Sequence, residues 1–234
     1  MIIPGFQKTT LLDYPGHTAA LVFTGGCNFR CPYCHNGDLV LHPGALPPVS
    51  EEEIFAHLKK RRNVLNGVSV TGGEPTLQAD LPAFFAKIKD LGYEIKLDTN
   101  GTSPGMLRKL LEEKLVDYVA MDIKNAPEKY GATVGLPPES FTDSMMDDIR
   151  SSIALLREWQ VDYEFRTTVM QELHSVSDIE AIGEWIAGAK RYFIQPYKES
   201  DAVIRPGFTR PSEETLKEMA AAAGRFIPEV QIRG

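Results

Sequence analysis

The chain has 234 residues, 43% of them hydrophobic, enough for one large α/β domain with a sizeable core. A formal charge of −7, without clusters of Lys and Arg, argues against nucleic acid or an anionic membrane as a partner. No segment approaches the roughly 18 apolar residues of a membrane span, and the first residues lack the apolar run of a signal peptide, so a cytoplasmic protein is expected.

In chain order, residues 1–17 read as an N-terminal extension. Apolar, β-rich runs then predict strands at Ala19 to Phe23, Val68 to Val70, Tyr93 to Leu97, Tyr118 to Met121, Tyr163 to Val169, Tyr192 to Gln195 and Val230 to Ile232. Helix starts fall between them: Ser50 with Glu53, Asp80 ahead of Leu81-Pro82, Ser103-Pro104, Ser177 with Glu180, and Ser212. This alternation implies a parallel sheet, and about six βα units in a single domain over 1–234 suit either a doubly wound sheet or an incompletely closed barrel. Gly25-Gly26-Cys27, Thr71-Gly72-Gly73-Glu74, Asp98-Thr99-Asn100-Gly101 and Asp122-Ile123-Lys124 each end a predicted strand. Successive strands therefore aim glycine-rich or charged motifs at one face.

The chain's three cysteines, Cys27, Cys31 and Cys34, form a CxxxCxxC pattern within the loop 25–36. An odd number packed so closely cannot build the distributed disulfide framework of a secreted domain, and points to metal. A tetrahedral zinc site, or a four-iron cluster held wholly by protein, uses four ligands. Three ligands leave one metal position open to an exogenous molecule. A zinc knuckle completed by His35 or His17, and three simply buried thiols, are the other readings; adjacent Cys34 and His35 are poorly placed to share one ion.

In Thr71-Gly72-Gly73-Glu74-Pro75 the two glycines permit close approach of backbone to a ligand, or an ordinary strand-to-helix turn. Asp98, Thr99, Asn100, Asp122 and Lys124 bring carboxylates, polar groups and a lysine to the mouth of the sheet. There they could hold a cation, accept from ribose hydroxyls or offset a ligand carboxylate. An Asx turn into Gly101 and a solvated loop end for Lys124 are the plainer readings. Arg166 and Gln195, with Lys198 beyond it, end later strands and could reach a ligand or form a polar edge. His42, His57 and His174 read as solvated and without partners, and Glu51-Glu52-Glu53 as a helix N-terminus.

CxxxCxxC with an aromatic, Tyr33, before the last cysteine resembles the radical S-adenosylmethionine superfamily. The resemblance implies a partial (β/α)6 barrel in which Cys27, Cys31 and Cys34 ligate a [4Fe-4S] cluster whose fourth iron binds S-adenosylmethionine. It implies that Gly72, Gly73 and Glu74 receive the methionine amino group. Asp98, Thr99, Asn100, Asp122, Lys124, Arg166 and Gln195 would line the rest of the site, in some members with a monovalent cation near the methionine carboxylate. Relatives can carry histidine near the position of Lys198.

The opening Gly5-Phe6-Gln7-Lys8-Thr9-Thr10-Leu11-Leu12-Asp13-Tyr14-Pro15-Gly16, together with Cys34-His35-Asn36, is similar to the activating proteins of anaerobic ribonucleoside-triphosphate reductase. Activators of pyruvate formate-lyase share the Cys-His-Asn ending and a Pro-Gly lead-in. The resemblance implies a glycyl radical enzyme as partner and an electron donor such as flavodoxin. Without a fourth cysteine, no cysteine-ligated auxiliary cluster is expected. A radical enzyme acting on a small molecule, of the carboxydeazaguanine synthase type, and a metal or redox module without S-adenosylmethionine chemistry stay open.

Overall fold

A computed structural model describes residues 1–234. Its eight strands lie side by side in sequence order: β1 (Gly5–Thr10), β2 (Ala19–Thr24), β3 (Gly67–Gly72), β4 (Glu94–Thr99), β5 (Tyr118–Asp122), β6 (Asp162–Val169), β7 (Arg191–Pro196) and β8 (Glu229–Ile232). β1 is antiparallel to β2, and every later pairing is parallel. Helices α1 (Gly37–Leu41), α2 (Glu51–Arg61), α3 (Leu81–Asp90), α4 (Pro104–Glu112), α5 (Tyr130–Thr133), α6 (Asp143–Glu158), α7 (Val176–Trp185) and α8 (Glu213–Ala223) fill the connections. The α/β architecture is that of the expected partial barrel, and no helix is long and apolar enough to cross a membrane.

The alternation of side chains along each strand separates two environments. Outward residues such as Val68, Val70, Ile95, Leu97, Val119, Met121 and Phe165 pack under Phe84, Phe85 and Ile88 of α3, Leu110 of α4, and Ile149 and Leu156 of α6 in one continuous buried cluster. Each such side chain contributes roughly 1.5–3 kcal/mol through burial. Inward positions at the alternate registers of β3 to β6 are mostly polar: Ser69, Lys96, Asp98, Tyr118, Asp122, Glu164 and Arg166, with Ala120 among them. A barrel with an apolar jacket and an ionic lumen results.

Capping fixes where the helices begin. Ser50 Oγ accepts from Glu53 N at the start of α2, a cap worth about 1 kcal/mol. α7 starts from Ser175, not the expected Ser177, because Ser175 and Asp178 form a reciprocal capping box. Asp80 and Ser103 occupy their expected cap positions without a side-chain bond, and Pro82 and Pro104 set the first turn instead.

The N-terminal segment is not a simple extension. Gly5–Thr10 forms the edge strand β1, which its mixed composition did not announce. His57 on α2, expected to be free, hydrogen-bonds through Nε2 to the Lys8 carbonyl at 2.9 Å and meets the Phe6 ring edge-on. Beyond β1, Tyr14 folds under the barrel, where it packs with Ala19, Tyr118 and Ala120. Tyr118 in turn donates to Glu164, which also receives Arg233. These residues form the floor of the lumen.

Candidate active site

The cysteine loop leaves the C-terminal end of β2 and is held on every side by backbone bonds. Gly26 N donates to Leu39 O, Arg30 N to Val134 O, and Cys34 N to Cys31 O. The long β7–α8 connection lies against its far end, where Ile204 N donates to Cys34 O and Arg205 N to Pro32 O, while Gly37 N donates to Ala202 O. All three cysteines are free thiols facing one cavity of about 170 Å³. Burial pushes the Cys27 thiol up to about 12, helped by the nearby Glu74 carboxylate, and Cys31 up to about 11 against the pull of Lys124.

The histidines that would complete a zinc knuckle are engaged elsewhere. His17 lies at the opposite end of β2, stacked on Tyr14 and bonded through Nε2 to Glu94. His35 stacks on Tyr197 and bonds to the Lys198 carbonyl. No three His, Cys, Asp or Glu side chains converge on a single ion. Thiols that face one cavity without sharing a centre suit a cluster, in which each thiolate takes a different iron. The Tyr33 hydroxyl, buried in the same cavity wall without a protein partner, is a polar group suited to a bound ligand.

The turn after β3 is fitted to the cysteine loop. Gly73 N donates to Thr24 O and Glu74 N to Gly26 O, and the Asn36 side chain returns from the end of the loop to Gly72 O. The glycines are required by this contact more than by a ligand. Gly72 has φ +121°, and a Cβ at Gly73 would lie 1.9 Å from Gly26 O. Glu74 is buried and clasps the next turn: its Oε1 accepts from Thr76 N, Thr76 Oγ1 and Thr99 Oγ1, and its Oε2 from Asn100 N. Burial, though opposed by these donors, raises its carboxyl above the ordinary range.

Below this rim the charged residues of adjacent strands interlock. Arg166 Nε donates to Asp122 Oδ1 at 2.9 Å and its Nη1 reaches Asp98 Oδ1 at 3.4 Å. Lys124 pairs with Asp122 at 2.9 Å, and Lys96 with Asp98. Burial alone would raise both carboxyls. Arg166 and Lys124 outweigh it at Asp122, held down to about 2, and Arg166 and Lys96 outweigh it at Asp98, which also stays low.

Most of the expected site residues converge: Cys27, Cys31, Cys34, Gly72, Gly73, Glu74, Asp98, Thr99, Asn100, Asp122 and Lys124 all line the cavity. Arg166 supports its floor through the two aspartates, and Gln195 is not among the lining residues. Sequence reasoning gave no role to Asn28, Asn36 or Lys96, and misread His174. Far from solvated, His174 is buried and holds the Lys124 carbonyl through Nε2 at 2.9 Å. Burial keeps its ring below the ordinary histidine range. Lys96 had a visible signal, since it is a charged residue between Ile95 and Leu97 in a strand, two positions before Asp98.

The sheet thus runs in sequence order, with the cysteine loop after its first parallel strand and polar motifs at the ends of β3, β4 and β5. Residues 21–183 match the Radical SAM superfamily model, and the chain belongs to that superfamily. Its cofactors are a [4Fe-4S] cluster and S-adenosylmethionine, and the three thiols and the cavity fit them. Among similar proteins, MJ1227 of Methanocaldococcus jannaschii, a candidate glycyl-radical enzyme activating enzyme, is 33% identical over 99% of this chain and 95% of its own length. The pyruvate formate-lyase-activating enzyme of Clostridium pasteurianum is 31% identical over 60% of each chain. SuiB of Streptococcus suis superposes with a TM-score of 0.69 at 13% identity, over 92% of this chain and 48% of SuiB, a likeness of fold.

Proposed function

We propose that this chain is the activating enzyme of a glycyl radical enzyme, that its partner is anaerobic ribonucleoside-triphosphate reductase, and that it works in the cytoplasm. The observation that carries the reading is the convergence of three free thiols, the Gly72–Glu74 turn and an ionic lumen on one cavity. The similarity to MJ1227 along nearly the whole chain supports the partner class, and the motif from Gly5 to Gly16 supports the particular partner. Cys27, Cys31 and Cys34 would hold the cluster, which, given one electron from a donor such as flavodoxin, would supply reductive cleavage of S-adenosylmethionine to methionine and a 5′-deoxyadenosyl radical able to take hydrogen from a glycine α-carbon.

The residues of the chain bind, orient and shield. Glu74 Oε2 accepts only Asn100 N within the protein, and so has an acceptor position for the methionine ammonium. Three cationic heads, Lys96, Lys124 and Arg166, face two carboxylates, Asp98 and Asp122. The surplus positive charge suits the methionine carboxylate, with Lys124 the member that lines the cavity. Tyr14, Tyr118 and the Glu164–Arg233 pair close the opposite end against water.

The test is anaerobic incubation of the reconstituted protein, reductant and S-adenosylmethionine with the reductase, followed by electron paramagnetic resonance. A glycyl doublet on the reductase is expected, and Cys27→Ala, Cys31→Ala or Cys34→Ala should abolish both the doublet and formation of 5′-deoxyadenosine. A cysteine variant that still cleaves S-adenosylmethionine would sink the chemistry. A doublet on pyruvate formate-lyase but not on the reductase would reassign the partner, and consumption of a small molecule without any partner would overturn the class.

A further inference from the structure

We propose that the Lys96 ammonium is a tethered counter-cation for the carboxylates of the lumen, standing where a monovalent metal ion would otherwise balance them, so that this protein binds S-adenosylmethionine without sodium or potassium. The inference deepens the function proposed above and rests on it only for the identity of the ligand.

Lys96 is the lysine of β4 that points into the barrel, and it is only 2% exposed. Its register neighbours are Ser69 on β3 and Tyr118 on β5, neither of which carries a formal charge at neutral pH. Two residues further along the same face stands Asp98, and the Lys96 Nζ donates to its Oδ1, the oxygen that Arg166 Nη1 also approaches at 3.4 Å. The second carboxylate, Asp122, is already served by Arg166 Nε and Lys124 Nζ, each at 2.9 Å. Strand-end carboxylates on adjacent strands are the usual material of a cation site. Here the two aspartates meet three fixed cationic heads, and Glu164, the third carboxylate facing Arg166, is taken up by Arg233 and Tyr118. A further cation would enter a region of net positive charge and low dielectric, where repulsion is strong and hydration is lost. The residues therefore do not fit a bound monovalent ion. The amine that displaces it costs no binding equilibrium, because it is part of the strand.

Removing the amine while leaving its space should convert an ion-independent site into an ion-dependent one. In Lys96→Ala the Asp98 carboxylate keeps only its long contact to Arg166, and a hole opens that potassium or methylammonium can enter. Lys96→Met removes the charge but fills the hole.

The experiment measures the dissociation constant for S-adenosylmethionine on the reconstituted full chain, from the change in the reduced cluster's electron paramagnetic resonance spectrum, in sodium, potassium, methylammonium and choline chloride at equal ionic strength. Thermal unfolding of the as-purified chain in the same salts is the second readout. Wild type is expected to be indifferent to the cation, within about twofold in affinity. Lys96→Ala should bind about tenfold more weakly in choline, regain most of that in potassium or methylammonium, and show a matching rise of roughly 3 °C in melting temperature. Lys96→Met should be weak in every salt. A wild type that needs sodium or potassium, or a Lys96→Ala whose affinity and melting temperature ignore the cation, would overturn the proposal. If Lys96→Ala fails to fold, the wild-type salt series decides. If no cluster assembles at all, the function fails while the melting series still tests Lys96.

Discussion

The Asn100 side-chain amide reaches across the cavity to the Cys27 sulfur: Nδ2 lies 3.8 Å from Sγ and 2.9 Å from Asn28 Oδ1. Its Oδ1 accepts from Thr102 N and Thr102 Oγ1, which fixes the amide with its N–H groups toward the sulfur. An N–H directed at a cluster thiolate stabilises the more negative, reduced state. Asn100→Leu is therefore expected to lower the cluster's midpoint potential by about 40 mV, the one-electron equivalent of a hydrogen bond worth roughly 1 kcal/mol. A redox titration followed by electron paramagnetic resonance, at unchanged iron content, checks this; an unmoved midpoint removes Asn100 from any tuning role.

Gly73→Ala should be among the most damaging of the glycine substitutions. Its Cβ would lie 1.9 Å from Gly26 O and 2.6 Å from Gly26 C, backbone atoms that cannot rotate away. Either the turn after β3 or the start of the cysteine loop must shift, at a cost of roughly 2–4 kcal/mol. The expected result is a lower denaturant midpoint together with loss of iron uptake. Gly105→Ala, at a helical position in α4 with open space around the added methyl, is the control and should stabilise by up to about 1 kcal/mol.

Cluster loading should speed up with pH. In the proposed cluster site metal binds thiolate, so each of the three thiols would have to lose its proton on loading. Burial holds Cys27 near 12 and Cys31 near 11 and also raises Cys34, so all three are protonated at neutral pH. The rate of anaerobic reconstitution, followed by absorbance, is expected to rise from about pH 7 to about pH 9 as thiolate becomes more accessible. A flat profile over that range would argue that the loop opens and solvates its thiols before iron arrives.

His174 supplies a pH dependence of stability with a definite sign. The unfolded chain takes up the histidine proton near the ordinary value of about 6.5, whereas the buried folded ring takes it up only at lower pH. The unfolded state thus binds more protons in that window. Stability is whole above the unfolded value and declines as pH falls through it toward the folded one. Melting temperatures measured from pH 7.5 to 5.5 should fall, and His174→Gln, which can still donate to Lys124 O, should flatten that fall.

Much of the fold was legible because period-two apolar runs and capping residues act locally: six predicted strands lie within or nearly within β2 to β7, and Ser50 and Ser212 cap their helices. β1 was not legible, since Gly5–Thr10 is an edge strand whose partner, β2, and whose contact to His57 are supplied by the tertiary structure. At the site, the residues that could be named carry a motif. Those given no role act through geometry: Lys96 through its alternation with Asp98, Asn28 through its bond to Thr102, and Asn36, quoted only as part of the Cys-His-Asn ending, through its bond to Gly72. His174 was misread because nothing local distinguishes a solvated histidine from one that folds under a neighbouring strand's loop. The role of Gly73 was legible as a need for glycine, but its cause, the backbone of Gly26, lies some fifty residues away in the chain.

The bonds from Ile204 and Arg205 make the cysteine loop a composite of distant parts of the sequence. Cys34 lies about 170 residues from the segment that pins it, and that segment lies beyond the residues matched by the family model. In an emerging chain the three thiols therefore stay unbraced until the segment before α8 has been made and has docked. The held geometry of the loop is a product of late tertiary closure and not of the local motif.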